Sequence, residues 1–139
     1  MKCLFAVLIF FVLLAGCGGG GQPPTIAGPP AIEFSRVPQY GSFDNLQGRV
    51  RGVNTADVKV ICIIYVVGRW WVKPYYASPF TPVRPDGTFT TDVTTGGVDE
   101  QATEIRAYLV AKDYEYTGLL PPDPPSEKVL AMAKAIRSP

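Results

Sequence analysis

The sequence predicts an all-β protein, an antiparallel β-sandwich followed by a short C-terminal helix. Three observations lead to this prediction. Short apolar or alternating segments recur between residues 31 and 111. Turn-forming groups rich in Gly, Pro and Asp separate these segments at intervals of about ten residues. The longest segment is rich in β-branched side chains, which favour a strand over a helix of the same length.

The first two strands are predicted at residues 31–37 and 46–53. In the first, apolar and polar residues alternate imperfectly, and the segment stops at Pro38, as an edge strand would. The second places Leu46, Gly48 and Val50 on one face and two arginines on the other, which is typical of a half-exposed strand.

The segment DVKVICIIYVV at residues 57–67 is the clearest strand in the chain. Its apolar side chains occupy both faces, so we expect a central strand that is covered on both sides. Cys62 lies inside this run and is predicted to be a small buried hydrophobe.

Further strands are predicted at residues 88–93 and 103–111, and an irregular, edge-like stretch with two prolines at 75–83. Residues 69–73 can either continue as a hairpin partner of the central strand or bend away from it before Pro74. The sequence Pro85-Asp86-Gly87 forms a turn, because Pro fixes φ, Asp bonds its own backbone and Gly accepts positive φ. Residues 103–111 should point Ile105, Ala107 and Leu109 inward.

A helix is predicted at residues 127–136, after a Pro-rich stretch at 119–125. Ser126 is a suitable N-cap. Val129, Met132, Ala133 and Ile136 would then form one apolar stripe that must dock on the sheet, because so short a helix does not persist alone.

The amino terminus has the features of an export signal. Lys2 precedes an unbroken apolar run from Leu4 to Leu14, which as a helix would rise about 16 Å, roughly half of a hydrocarbon core. A stable membrane span is therefore not expected, and the run fits the apolar part of a signal peptide.

Leu14-Ala15-Gly16-Cys17 resembles the lipobox of bacterial lipoproteins. The resemblance implies cleavage before Cys17, lipidation of its thiol and attachment to the cell envelope through acyl chains. It also implies the outer membrane if the source has two, because Gly18 stands where a retained protein has Asp. The alternatives are an ordinary cleaved signal with an incidental Cys, or an uncleaved anchor.

The chain therefore divides into a signal peptide at residues 1–16, a lipidated tether at 17–30, a sandwich domain at 31–118 and a Pro-rich segment with the helix at 119–139. The tether contains many Gly and Pro and no charge, so it should act as a spacer. The alternative is an ordered arm lying on the domain.

Composition excludes several functions. The 139 residues include no histidine, and 13 basic side chains nearly balance 12 acidic ones. His-based catalysis and His metal sites are excluded, and no charge field attracts nucleic acid. Asp86, Asp92, Asp99 and Glu100 are interpreted as turn residues and not as ligands for calcium. We expect no enzymatic activity, no metal and no cofactor.

An aromatic cluster is the only candidate ligand surface. It consists of Trp70, Trp71, Tyr75, Tyr76 and Phe80. Adjacent strand residues point to opposite faces, so Trp70 and Trp71 cannot both fill one core. Three interpretations remain open: packing beneath the Pro-rich loops, contact with a protein or peptide, and stacking against sugar rings.

The body of the chain resembles immunoglobulin-like and transthyretin-like accessory modules of bacterial envelope proteins. The transthyretin-like resemblance rests on Gly48-Arg49-Val50, the long central strand and the turn Pro85-Asp86-Gly87-Thr88-Phe89. The resemblance to uncharacterised envelope modules rests on Trp71-Val72-Lys73-Pro74, Asp86-Gly87-Thr88-Phe89 and Thr95-Gly96-Gly97-Val98-Asp99. The resemblance implies a lipid-anchored envelope protein with a non-catalytic binding or structural role. The alternatives are a carbohydrate-binding module that uses the aromatic cluster, and a subunit or inhibitor in an envelope protein complex.

Overall fold

Eight strands form two antiparallel sheets in the part of the chain that the computed structural model describes, residues 26–118 and 127–139. Two short 3₁₀ turns, at Thr55–Asp57 and Asp99–Gln101, join some of them. The strands are β1 (Ala31–Arg36), β2 (Leu46–Arg51), β3 (Val58–Val66), β4 (Arg69–Lys73), β5 (Phe80–Pro82), β6 (Thr88–Thr91), β7 (Glu104–Ala111) and β8 (Val129–Ile136).

The two sheets pack face to face in a sandwich-like arrangement. One has three strands in the order β1-β2-β6. The other has five, in the order β4-β3-β7-β8, and β5 also pairs with β3. The first core lies between the sheets and includes Leu46, Val50 and Phe89 from the smaller sheet and Ile64 and Leu109 from the larger one. The prediction of an all-β protein with antiparallel sheets is confirmed.

The smaller sheet follows its sequence pattern closely. Along β2, buried and exposed residues alternate without interruption, and both arginines face solvent as predicted. Phe89 of β6 packs directly over Gly48, where a Cβ atom would lie 2.3 Å from the ring Cζ. Gly48 therefore gives this sheet room for a large aromatic side chain in the core.

The central strand β3 is buried on both faces, as predicted. Its other face belongs to a second core, on the side of the five-stranded sheet that faces away from the smaller sheet. The buried members of this core are Ile61, Ile63, Val72, Tyr108 and Val110. Tyr114 and Tyr116, from the segment after β7, pack against it. This second layer explains why Tyr108 is buried.

The helix predicted at residues 127–136 is wrong, because Val129–Ile136 forms strand β8 and pairs antiparallel with β7. The strand divides the predicted stripe between its two faces, so that Val129 and Ala133 are half-buried whereas Met132 and Ile136 are exposed. Ala131, Ala133 and Ala135 face the first core opposite Leu109, Ala107 and Ile105. Backbone pairing with β7 outweighs the helix propensity of the alanines. Ser126 and residues 119–125 lie outside the described residues.

The end of the predicted tether contacts the domain. Gly52 has a φ of +68°, and a Cβ there would lie 2.3 Å from the carbonyl oxygen of Pro29. The backbone at residues 28–29 therefore lies directly against the chain just after β2. In residues 26–118 and 127–139, no helix combines the length and the apolar character that crossing a bilayer requires.

Candidate functional site

Trp70 and Trp71 lie on opposite sides of β4, as strand geometry requires. Trp70 is half-buried on the side of the second core. Its ring lies 5.1 Å from that of Tyr65, and the guanidinium of Arg106 lies 4.7 Å from its centroid. These contacts hold Trp70 in place, so it forms a wall of the site and not a free platform.

A groove beside β4 brings together four of the five predicted aromatic residues. Trp71, Tyr75 and Tyr76 are 49%, 59% and 69% exposed. Trp70 and Tyr116 complete the aromatic walls, and the groove has a volume of about 460 Å³. We call this the aromatic groove. Its size lies in the range of small-molecule pockets, and large apolar rings exposed together are typical of contact surfaces.

Tyr116 positions one wall of the aromatic groove. Its ring meets that of Tyr76 edge-on, with centroids 5.7 Å apart. Gly118, with a φ of +81°, allows this approach, since a Cβ there would lie 2.4 Å from the Tyr76 hydroxyl. The sequence analysis missed Tyr116, because forty residues separate it from Tyr76 and no local pattern links them.

Phe80 is not part of the groove. It is half-buried on β5 and meets Tyr114 edge-on at 6.2 Å. The Nζ atom of Lys59 lies 3.6 Å from its ring centroid, in a cation–π contact. Phe80 therefore extends the second core and lies outside the exposed surface.

A second cleft lies on the other side of Trp71. It has a volume of about 330 Å³, and Val66, Val67, Trp71 and Val98 supply its apolar walls. We call it the valine cleft. Trp71, Lys73 and Thr95 line both cavities, so these three residues separate the valine cleft from the aromatic groove.

Val67 has an unfavourable backbone conformation at the rim of this cleft. It is the one non-glycine residue with positive φ, 49°, in the described part of the chain, and it is 79% exposed. With Gly68 at 72°, it forms the two-residue turn between β3 and β4, where Asn-Gly would be favoured. A β-branched residue in this conformation costs stability, and such strain concentrates at functional sites.

Lys73, in the wall between the two cavities, belongs to a buried ion pair. Lys73 Nζ contacts Asp99 Oδ2, and both side chains are buried. Lys73 also donates to Thr95 Oγ1 at 3.1 Å, and Asp99 Oδ2 accepts from Gly96 N at 2.9 Å. The pair fixes the loop at residues 95–99 against β4, and the described residues that line the two cavities then carry no net charge. Asp99, predicted as a turn residue, is thus also the partner of Lys73.

The other polar side chains that the sequence singled out form no ligand site in the described residues. Asp86 Oδ1 accepts from the amide and hydroxyl of Thr88, and these hydrogen bonds lower the pKa of Asp86. Burial raises the pKa of Cys62 to about 12, so its thiol is unreactive in the fold. No group of three or more potential metal ligands occurs within residues 26–118 and 127–139. Cys17 lies outside the described residues.

Comparison of the chain with protein-family models, with curated proteins and with solved structures finds no match.

Proposed function

We propose that this protein is a lipid-anchored binding module of a bacterial cell envelope, and that it binds its ligand at the aromatic groove. The exposure of Trp71, Tyr75 and Tyr76 around one groove is the observation that supports binding. The lipobox motif at Leu14 to Cys17 supports the anchor. The role is non-catalytic, and the outer membrane is the expected location in a source with two membranes.

The strand order supports an immunoglobulin-like sandwich over a transthyretin-like one. The orders β1-β2-β6 and β4-β3-β7-β8 correspond to the A-B-E and C′-C-F-G strands of that architecture. In this assignment, the groove lies along C′, at the edge of the larger sheet. An edge strand offers both side chains and unpaired backbone groups to a ligand.

The anchor is tested by the substitution Cys17→Ala. We expect it to abolish incorporation of labelled palmitate and to move the protein from the membrane pellet to the soluble fraction. An unchanged pellet and an intact leader in the mass spectrum would contradict the anchor.

Binding is tested by photocrosslinking in the native envelope. A photoreactive amino acid replaces Tyr75 in one variant and Gln47 in the control, because Gln47 is exposed on the far side of the smaller sheet. We expect a discrete product from position 75 that disappears on adding Trp71→Ala. Equal products from both positions, or none from position 75, would contradict the groove as a binding site.

A carbohydrate-binding module is the second candidate function. An exposed Trp next to two exposed Tyr residues offers flat rings on which sugars can stack. Because the described lining of the groove carries no net charge, we expect weak binding to a soluble polysaccharide, with an affinity that does not depend on salt concentration. Affinity electrophoresis with and without salt, using Trp71→Ala as the control, tests this candidate.

A further inference from the structure

The outer edge of β4 is open in the part of the chain that the structure describes. β4 is the terminal strand of the five-stranded sheet and pairs with β3 alone. No other described strand or turn makes a backbone hydrogen bond to residues 69–73. Such an edge presents unpaired amide and carbonyl groups that a further strand can use.

The aromatic groove reaches both faces of this edge, and the valine cleft lies on one of them. Trp71 and Lys73 pair with Ile64 and Cys62, so they lie on the face of the first core, with the valine cleft. Trp70 and Val72 lie on the opposite face, which opens into the aromatic groove. Successive side chains of an added strand would therefore point in turn to the face of Trp71 and the valine cleft, and to the Trp70 side of the aromatic groove.

The charges of the site define which side chains fit. Among the described residues, Lys73 and Asp99 are the only ionisable acids or bases lining either cavity, apart from tyrosines, and they neutralise each other. A charged side chain entering either cavity would lose water without gaining an opposite charge. Arg69, at the start of β4, is exposed and forms no salt bridge within the described residues. It complements an acidic residue at one end of the ligand.

We propose that the β4 edge binds an extended peptide segment of a partner protein by strand addition. Its uncharged apolar side chains enter the valine cleft and the aromatic groove at alternate positions, and an acidic residue at one end pairs with Arg69. This inference rests on the proposed binding role of the aromatic groove, and it names the class of ligand.

The turn between β3 and β4 supports ligand binding independently, through the conformation of Val67. An exposed β-branched residue is retained at positive φ on the rim of the valine cleft, although Asn would suit that turn better. A role for the apolar side chain in binding explains why the conformational cost persists. Val67→Asn should therefore raise the melting temperature by a few degrees and weaken peptide binding about fivefold.

The experiment uses the full-length protein in detergent micelles as bait for a phage-displayed library of linear peptides of about ten residues. We expect enriched sequences in which uncharged apolar residues alternate and an acidic residue lies near one end. Trp71→Ala should weaken a synthetic enriched peptide about 30-fold, the loss expected for a central contact residue. Arg69→Glu should weaken the same peptide and favour one with Lys at the acidic position.

N-methylation of the synthetic peptide tests the backbone pairing. In strand addition, methyl groups on alternate amides abolish binding, because only every second amide faces β4. Methylation of the intervening amides should leave the affinity unchanged and serves as the matched control.

Three results would overturn the proposal. The first is that the library yields no peptide enriched above empty micelles. The second is that methylation at every position has the same effect on binding. The third is that a soluble polysaccharide, which the Trp71→Ala variant fails to bind, displaces the peptide. If photocrosslinking at position 75 succeeds while these tests fail, the groove remains a binding site and only strand addition is rejected. If both fail, the proposed function is rejected as well.

Discussion

Cys62 lies in a small polar group inside the first core. Its Sγ atom lies 3.6 Å from Thr91 Oγ1, which in turn lies 2.8 Å from Thr81 Oγ1. Because each of these groups has a partner, the core tolerates them. The sequence predicted the burial of Cys62 from its apolar run, but not these partners, which lie on β5 and β6.

We expect the Cys62 thiol to resist alkylation by iodoacetamide at about pH 8 in the native protein and to react once urea unfolds it. Mass spectrometry of the peptide that contains Cys62 measures this.

Burial raises the pKa of the Cys62 thiol from 9.0 to about 12. The folded state thus keeps the proton to higher pH than the unfolded chain, so its stability falls as pH rises from about 9 to about 12. Cys62→Ala should remove that part of the pH dependence.

The ion pair of Lys73 and Asp99 should contribute strongly to the integrity of the site. Asp99→Ala leaves the Lys73 charge buried without a partner, and we expect a loss of about 3–5 kcal/mol in the free energy of unfolding. Urea denaturation measures it. The matched control is Glu33→Ala, which breaks the exposed pair with Arg51 and should cost less than about 1 kcal/mol. Similar losses in both variants would contradict this account.

At the scale of single elements, the sequence predicted the strands well wherever one face is polar. β2 shows this most clearly, since its alternation appears unchanged in the burial of its residues. β8 shows where a sequence pattern does not distinguish a strand from a helix. Its alternating alanines carry no polar contrast, so periods of two and 3.6 fit equally well, and only pairing with β7 decides between them.

Gly48 is expected to be irreplaceable in β2. Gly48→Ala places a methyl group 2.3 Å from the Phe89 ring and 2.6 Å from the Glu33 carbonyl oxygen. We expect a loss of about 1–3 kcal/mol in unfolding free energy, because the strand and the ring must separate. Gly96→Ala is the control, since nothing lies within 4 Å of a Cβ there. A thermal melt that ranks the two variants equally would contradict the packing described.

At the scale of the whole molecule, one side chain near the C-terminal end joins distant segments. The buried guanidinium of Arg137 donates to the carbonyl oxygen of Ala102 at 2.8 Å and to those of Pro38, Gln39 and Asp99 at 3.3 Å. It thereby ties the end of β8 to the connections after β1 and before β7. No local sequence pattern could reveal this, since Pro38 lies 99 positions away.

Arg137→Met should therefore cost about 2–3 kcal/mol, because four carbonyl groups lose a charged donor. Amide hydrogen exchange should also speed up at residues 39–42 and 99–103. Lys134→Met, on the exposed face of β8, is the control and should change stability by less than about 0.5 kcal/mol. If the Arg137 variant kept its protection from hydrogen exchange in these segments, Arg137 would not be what holds them together.

The candidate site was predictable only where its residues lie close together in the sequence. The sequence located four groove residues, because they lie close together around β4. It could not locate Tyr116, the partnership of Lys73 with Asp99, or the cleft beside Val67, because these depend on segments that only the folded chain brings together.

The consecutive indoles of β4 give the protein an internal optical probe. Trp70 is shielded by Tyr65 and Arg106, whereas Trp71 is 49% exposed next to both cavities. Iodide in solution should quench the emission of Trp71 more strongly than that of the half-buried Trp70. A bound ligand of any class that covers Trp71 would protect it, so one cuvette titration reports occupancy without a label.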